Sequence, residues 1–393
     1  MLSSCVRVFV LAALVALPCI RAQRYAVLDD SYSTGSHTAM LKVLSNSVTG
    51  ERVSVLLNGG GGIDLLRLAP SRGENTSLRE VIWSHGRNAT SAVMNPTWQG
   101  RMLLPYANRI GGAMYHFNGS KHVLPVNDVA GLNNSLHGLL WDRSMQVVAT
   151  NADDHSASVM LAYRFNAPTD PVSTAKGYPF KLAVSIEYML TAGRFSVFVK
   201  ATNEDEYGWP LPFYNGWHPY FLCHPCSAAF IVLDRSVPWR HVDVAVGPQF
   251  PPPRHSNMVP TTHVSEWRET NGTSPIGTAS DPPGAPRYMD DEVKAIRSSS
   301  GQGFVTRLVD PSTAQTVALH HDGNMRYLQI FTGARASFQD SPDSVVLEPL
   351  SAMSDAYNNH DGLHVISSGE SFVSQFSVEV ESLGEFTSSA EVV

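Results

Sequence analysis

Charge, cysteine and long apolar runs are all scarce in this chain of 393 residues. Charged residues make up 16%, with 28 Lys and Arg against 35 Asp and Glu, for a formal net charge of -7. No basic stripe remains to hold nucleic acid or an anionic membrane surface, so neither is an expected partner. The 4 cysteines exclude a fold built on disulfides. Cys223-His224-Pro225-Cys226 lacks the second ligand pair that a zinc site of this kind needs, so a local disulfide is expected there and no metal. The run Asn58-Gly59-Gly60-Gly61-Gly62 lacks the Gly-Lys-Ser/Thr ending and the strand-to-helix setting of a phosphate loop, which leaves a tight turn. Long amphipathic helices and repeats of fixed period are missing as well.

The longest apolar run, Val8 to Leu17, is about half the roughly 20 residues of a spanning helix. It follows Arg7 and precedes Pro18 and the small residue Ala22, the layout of a secretory signal peptide over residues 1–22. The mature chain is therefore expected to be secreted, to lack a membrane span and to form one domain over residues 23–393. Asn75, Asn88, Asn118, Asn133 and Asn271 each open an Asn-x-Ser/Thr glycan acceptor pattern, as a secreted glycoprotein would.

What is present is strand signal. Leu182, Val184, Ile186 and Tyr188 alternate with polar positions, Thr191-Ala192-Gly193-Arg194 offers a turn, and Phe195, Val197 and Val199 resume the alternation. Phe372, Phe376, Val378 and Val380 share one parity, with Gln375, Ser377, Glu379 and Glu381 on the other. Shorter runs recur at Val53–Leu57, Val147–Thr150, Ser158–Phe165, Tyr327–Thr332 and Ser344–Leu347, broken by turn residues among 25 Pro and 29 Gly. The expected fold is all-β, a large antiparallel sandwich with elaborate loops.

Four short clusters carry the chemistry. Asn108-Arg109-Ile110 and Asn134-Ser135-Leu136-His137-Gly138 place an Arg and a His among small and amide residues. Asn215-Gly216-Trp217-His218-Pro219-Tyr220-Phe221 adds a second His beside aromatics, and Val346-Leu347-Glu348-Pro349 adds a carboxylate on an apolar strand. Arg supplies five fixed donors suited to hydroxyls or a carboxylate. Glu and His are the residues that exchange protons near neutral pH. Together they describe an acid–base site for a polyol.

With Asp355-Ala356-Tyr357-Asn358 added, these motifs resemble, in order and separation, those of the aldose 1-epimerase (galactose mutarotase) family over nearly all of the mature chain. The resemblance implies a single β-sandwich with its sugar site in a groove across one sheet. It also implies interconversion of α and β anomers of free aldoses such as galactose and glucose, with no cofactor. Glu348 would be the base at the C1 hydroxyl and His218 the acid at the ring oxygen, on opposite sides of the sugar. His137 and Arg109 would hold hydroxyls, with Asn108 beside them, and Asp290, ahead of Asp291 and Glu292, would bind the far side of the ring. A glycan on Asn133 would collide with this site. Trp217 stands where relatives often have Asn, and either stacks on a sugar or belongs to the core. Phe213, Tyr214 and Trp209 are expected to pack. The assembly expected is a monomer or weak dimer. Rival readings are a sugar-binding protein without catalysis, a mutarotase for modified sugars, and a β-sandwich hydrolase or lyase, which would need Asp290 as a second carboxylate.

Overall fold

The computed structural model describes residues 23–71, 77–128, 132–166, 177–226, 229–234, 237, 239–245, 259–266, 273–275, 290–296, 303–331 and 344–382. The expected signal segment 1–22 and the acceptor patterns at Asn75 and Asn271 lie outside them.

Strands dominate, and among the described residues all of the ladders between them are antiparallel. Among the described residues, no helix is long and apolar enough to cross a membrane. Three larger sheets carry the architecture, with five, nine and eight strands. The nine-stranded sheet has the alternating hairpin at its heart. Leu182–Thr191 and Arg194–Asn203 pair in full register across the two-residue turn Ala192-Gly193, and Ser371–Ser382 pairs with the second of them. Gly193 takes φ +69° in this turn, where a Cβ would meet the Ser71 backbone at 2.7 Å.

The eight-stranded sheet runs Val259–Glu266, Trp239–Ala245, Asp290–Ala295, Tyr327–Phe331, Ser344–Leu350, Gly216–Trp217 and Met102–Leu103, with Tyr220–Leu222 also on Ser344–Leu350. One hydrophobic core joins the two sheets: Leu182, Ile186, Phe376 and Val378 from one pack with Leu328, Ile330, Val345 and Leu347 from the other. Trp217 decides its own role here. It is fully buried, stacks on Phe376 at 5.0 Å and donates its indole N–H to the Gly100 carbonyl, so it is a core residue and not a sugar platform.

Ser344–Leu350 is buried on both faces, which explains its unbroken apolar run. Leu347 pairs with Ile330 toward the core, and the next pair along the ladder, Glu348 with Gln329, points to the opposite face. That face is where the four motif clusters meet. The Gly-rich turn before it also matches expectation: Gly59 leaves room for buried Arg101, whose guanidinium donates to the Gly59 carbonyl at 2.7 Å, and a Cβ there would lie 1.9 Å from the same group. Phe213 and Tyr214 are buried as expected, but Trp209 is 59% exposed. Asp205 Oδ1 accepts the backbone N–H groups of Tyr207 and Trp209, and this tight loop turns the indole outward.

Candidate active site

Two of the motifs are one structural unit. Asn108-Arg109-Ile110 and Ser135-Leu136-His137 run antiparallel, with Leu136 opposite Arg109, Ser135 opposite Ile110 and the His137 N–H donated to the Asn108 carbonyl at 3.0 Å. Asn108 and His137 both adopt left-handed backbone, at φ 54° and 60°. That conformation is uncommon for a residue with a side chain and is held here by surrounding bonds. Gly138 continues it at φ +78°, and a Cβ there would sit 2.2 Å from the Leu104 carbonyl. The Asp355 motif buttresses the same segment: Asp355 Oδ1 accepts the Gly111 N–H at 2.8 Å and the Asp355 N–H goes to the Arg109 carbonyl at 2.7 Å.

His218 follows the short strand Gly216–Trp217, and its backbone exchanges bonds with Arg101 and Gly100. Its imidazole stacks on Tyr220 at 5.3 Å and meets the His137 ring edge-on at 4.9 Å. Glu348 Oε1 lies 3.6 Å from His218 Nε2, and both side chains are buried. Burial pushes the His218 imidazole down to about 3. It lowers His137 well below the ordinary range too, with the neighbouring His218 and Arg109 adding to the effect. Trp98 stands 5.0 Å from His137 and 6.2 Å from Trp141, which gives the site an aromatic wall.

Arg109 is held by a carboxylate of its own. Its Nε donates to Asp128 Oδ2 at 2.8 Å, and Nη1 reaches Asn108 Oδ1 at 3.4 Å. Asp128 is fully buried at its side chain and also accepts from Asn134 at 3.0 Å. Asn108 in turn donates its amide to Gln329 Oε1 at 3.3 Å, and Gln329 is the cross-strand partner of Glu348. A polar chain therefore runs from Asp128 through Arg109, Asn108 and Gln329 to the position of Glu348. Sequence reasoning missed Asp128, Gln329, Trp98 and Trp141. Gln329 carried a signal, as the lone polar side chain in the apolar run Tyr327–Phe331.

Arg109, Asn108, His137, His218 and Glu348 are thus brought together. Asp290 opens its strand opposite Phe331, and its side chain, like that of Asp291, lies outside the described residues. Glu292, the third acid of that run, is fully buried, and both of its carboxylate oxygens accept the Ser354 N–H at 3.2 Å. Asn133 is exposed beside buried Asn134 and Ser135. One ligand atom each from His137, His218 and Glu348 lie within 4.8 Å of one another, so these three side chains also have the spacing to take a divalent cation.

The aldose 1-epimerase family profile matches residues 49–379. The chain belongs to the aldose 1-epimerase family. It is 23% identical over 271 residues to the uncharacterized protein YihR of Escherichia coli K12, covering 69% of this chain and 75% of that protein. The uncharacterized protein YphB of the same organism is 32% identical over 123 residues, 31% of this chain and 37% of its own. Among solved structures, galactose 1-epimerase from Lactobacillus acidophilus superposes with a TM-score of 0.68 at 15% identity, over 91% of this chain and 99% of that one. The GalM/aldose epimerase homologue from C. elegans gives 0.67 at 13%, over 91% and 100%. These likenesses establish the galactose mutarotase-like sandwich as the fold. Membership indicates an isomerase-type enzyme acting on a sugar.

Proposed function

We propose that the protein is a cofactor-independent aldose 1-epimerase that interconverts the α and β anomers of free aldohexoses such as galactose and glucose. The observation that carries this is the 3.6 Å approach of Glu348 Oε1 to His218 Nε2 in a buried site. The two oxygens that exchange protons in ring opening, the C1 hydroxyl and the ring oxygen, are bonded to the same carbon. Their acid and base must therefore converge on one end of the sugar. The close placement of Glu348 and His218 suits that requirement.

The pair needs one mobile proton. With Glu348 ionised and His218 protonated, Glu348 takes the hydroxyl proton from O1 as His218 gives its proton to the ring oxygen. The C1–O5 bond breaks and the C1–O1 double bond forms. The pair is left as a carboxylic acid beside a neutral imidazole, with unchanged total charge. Rotation about C1–C2 presents the other face of the aldehyde, and reclosure returns both protons. Burial, which disfavours a charged imidazole, favours the neutral arrangement matched to the open-chain form. Arg109 and His137, carried on one ladder beside the pair, hold sugar hydroxyls. Each well-placed proton transfer contributes typically about 10²–10⁴-fold.

The protein is further read as secreted, with residues 1–22 removed. The disulfide between Cys223 and Cys226 supports an oxidising compartment. Polarimetry of freshly dissolved α-D-galactose and α-D-glucose, corrected for the spontaneous rate, tests the activity. Fast relaxation by the wild type, lost in Glu348→Gln and His218→Ala, is expected. No acceleration of either sugar by folded wild-type protein would overturn this reading in favour of a sugar-binding protein or a mutarotase for modified sugars.

A further inference from the structure

Away from the acid–base site, a cavity of about 280 Å³ opens between the hairpin Met114–Phe117/Ser120–Val123 and the loop that carries Trp209. Phe117, Phe180 and Trp209 line it, with Asp205 and Lys181 supplying polar groups, whereas the amide of buried Asn203 is bonded to the Trp209 and Ile366 carbonyls. Trp209 stands apart from the other tryptophans: among those described it is the exposed one, at 59%. An indole left in water beside carboxylate and ammonium groups is a combination that stacks on a pyranose and bonds its hydroxyls.

The hairpin tip supplies the sugar's point of attachment. Phe117 pairs with Ser120, leaving Asn118 and Gly119 as a two-residue turn at φ 51° and 74°. Asn118-Gly119-Ser120 is a complete glycan acceptor pattern, Asn118 and Ser120 are exposed, and both residues line the cavity. Two other acceptor patterns within the described residues are locally engaged. Asn88 caps the helix Ala89–Met94 by accepting the Ser91 N–H at 3.1 Å, and the hydroxyl of buried Ser135 lies 2.6 Å from that of Tyr106.

We propose that Asn118 carries an N-linked glycan whose first acetamido-pyranose seats in this cavity against Trp209 and Phe117. The proposal rests on the reading that residues 1–22 direct secretion. Packing the sugar there would cover the exposed indole and stiffen the rim formed by the hairpin.

The test uses full-length protein secreted from eukaryotic cells, with N-terminal sequencing, glycopeptide mass spectrometry and release of the glycan by peptide N-glycosidase without denaturation. Asn118 should be occupied. Trp209→Ala should speed native release roughly fivefold, as expected for loss of one aromatic contact. Ser120→Ala should remove the glycan while leaving sugar turnover unchanged. A product cleaved after the signal but bare at Asn118 would overturn the inference alone, whereas one that retains residues 1–22 and is bare throughout would overturn the secretory reading with it. Occupancy with the same release rate in wild type and Trp209→Ala would refute the seat.

Discussion

Glu348 Oε1 and His218 Nε2 approach to 3.6 Å although Glu348 lies within a strand, His218 just past the end of another, and the two are 130 positions apart in the chain. Gly216–Trp217, which ends just before His218, pairs directly with Ser344–Leu350, which carries Glu348. Two neighbouring backbones therefore set the distance between acid and base.

In the proposed mechanism one member takes a proton from the sugar as the other gives one, so the two act as a unit. Glu348→Gln and His218→Asn should each lower kcat by about 10²-fold or more, and the double variant should cost little beyond the worse single one. Polarimetric kinetics on all four proteins measures this. Losses that multiplied would mean the two residues act independently.

Arg109 is held by Asp128, whose side chain is fully buried. Removing the carboxylate leaves a mostly buried guanidinium without its charge partner. Asp128→Ala should therefore lower stability by about 3 kcal/mol in urea titration, as for other broken buried pairs. Asp128→Asn keeps an acceptor for Arg109 and should retain the fold while raising KM for the sugar more than it lowers kcat. Equal effects on both parameters, or none, would remove Asp128 from the positioning chain.

Acid should unfold the protein earlier than its carboxylates alone would. Burial lowers His321 to about 3 and His85 and His364 to about 4, from an ordinary value of 6.5. The unfolded chain thus takes up protons near pH 6.5 that the folded chain refuses until near pH 3–4, so stability rises with pH across that window. Each fully buried histidine contributes a slope of up to about 1.4 kcal/mol per pH unit. Asp64, Asp322 and Asp355, raised by burial above 3.8, act in the opposite sense, at the acid end. Thermal unfolding followed by circular dichroism should show a midpoint at least about 5 °C lower at pH 5 than at pH 7. An unchanged midpoint would mean that these histidines take up protons in the folded state.

His137, His218 and Glu348 bring a ligand atom each to within 4.8 Å. If Glu348 and His218 serve as proton carriers and His137 holds a hydroxyl, dialysis against a chelator should leave turnover intact. Added Zn²⁺ should inhibit by occupying the two imidazoles and the carboxylate, and His137→Gln should weaken that inhibition about tenfold or more. Loss of activity on chelation, restored by one metal, would replace the proton-transfer mechanism with a metal-assisted one.

The alternating pattern of residues 182–199 and 371–381 and the turn at Ala192-Gly193 were legible because side chains on a strand alternate with period two, and a tight turn admits few residue types. The motif residues were legible for a similar reason, since Arg, His and Glu amid small and apolar neighbours stand out. Gln329 and Asp128 were much less so. Their roles come from partners 221 and 19 residues away, Asn108 and Arg109, which no local pattern announces. The same holds for Trp217 and Trp209. Both are tryptophans beside aromatics and prolines, yet one fills the core against Phe376 and the other stands in water on a loop tied by Asp205.

The sequence by itself determined that this chain is all-β, that it belongs with the aldose 1-epimerases and which Arg, His and Glu stand out as candidates, because periodicity and residue type are local properties. Tertiary structure decided that Glu348 and His218 lie side by side, that Arg109 bonds to Asp128, and which indole is covered. Those are matters of distance and burial, which arise only when strands far apart in the chain are hydrogen-bonded into one sheet and two sheets close on a common core.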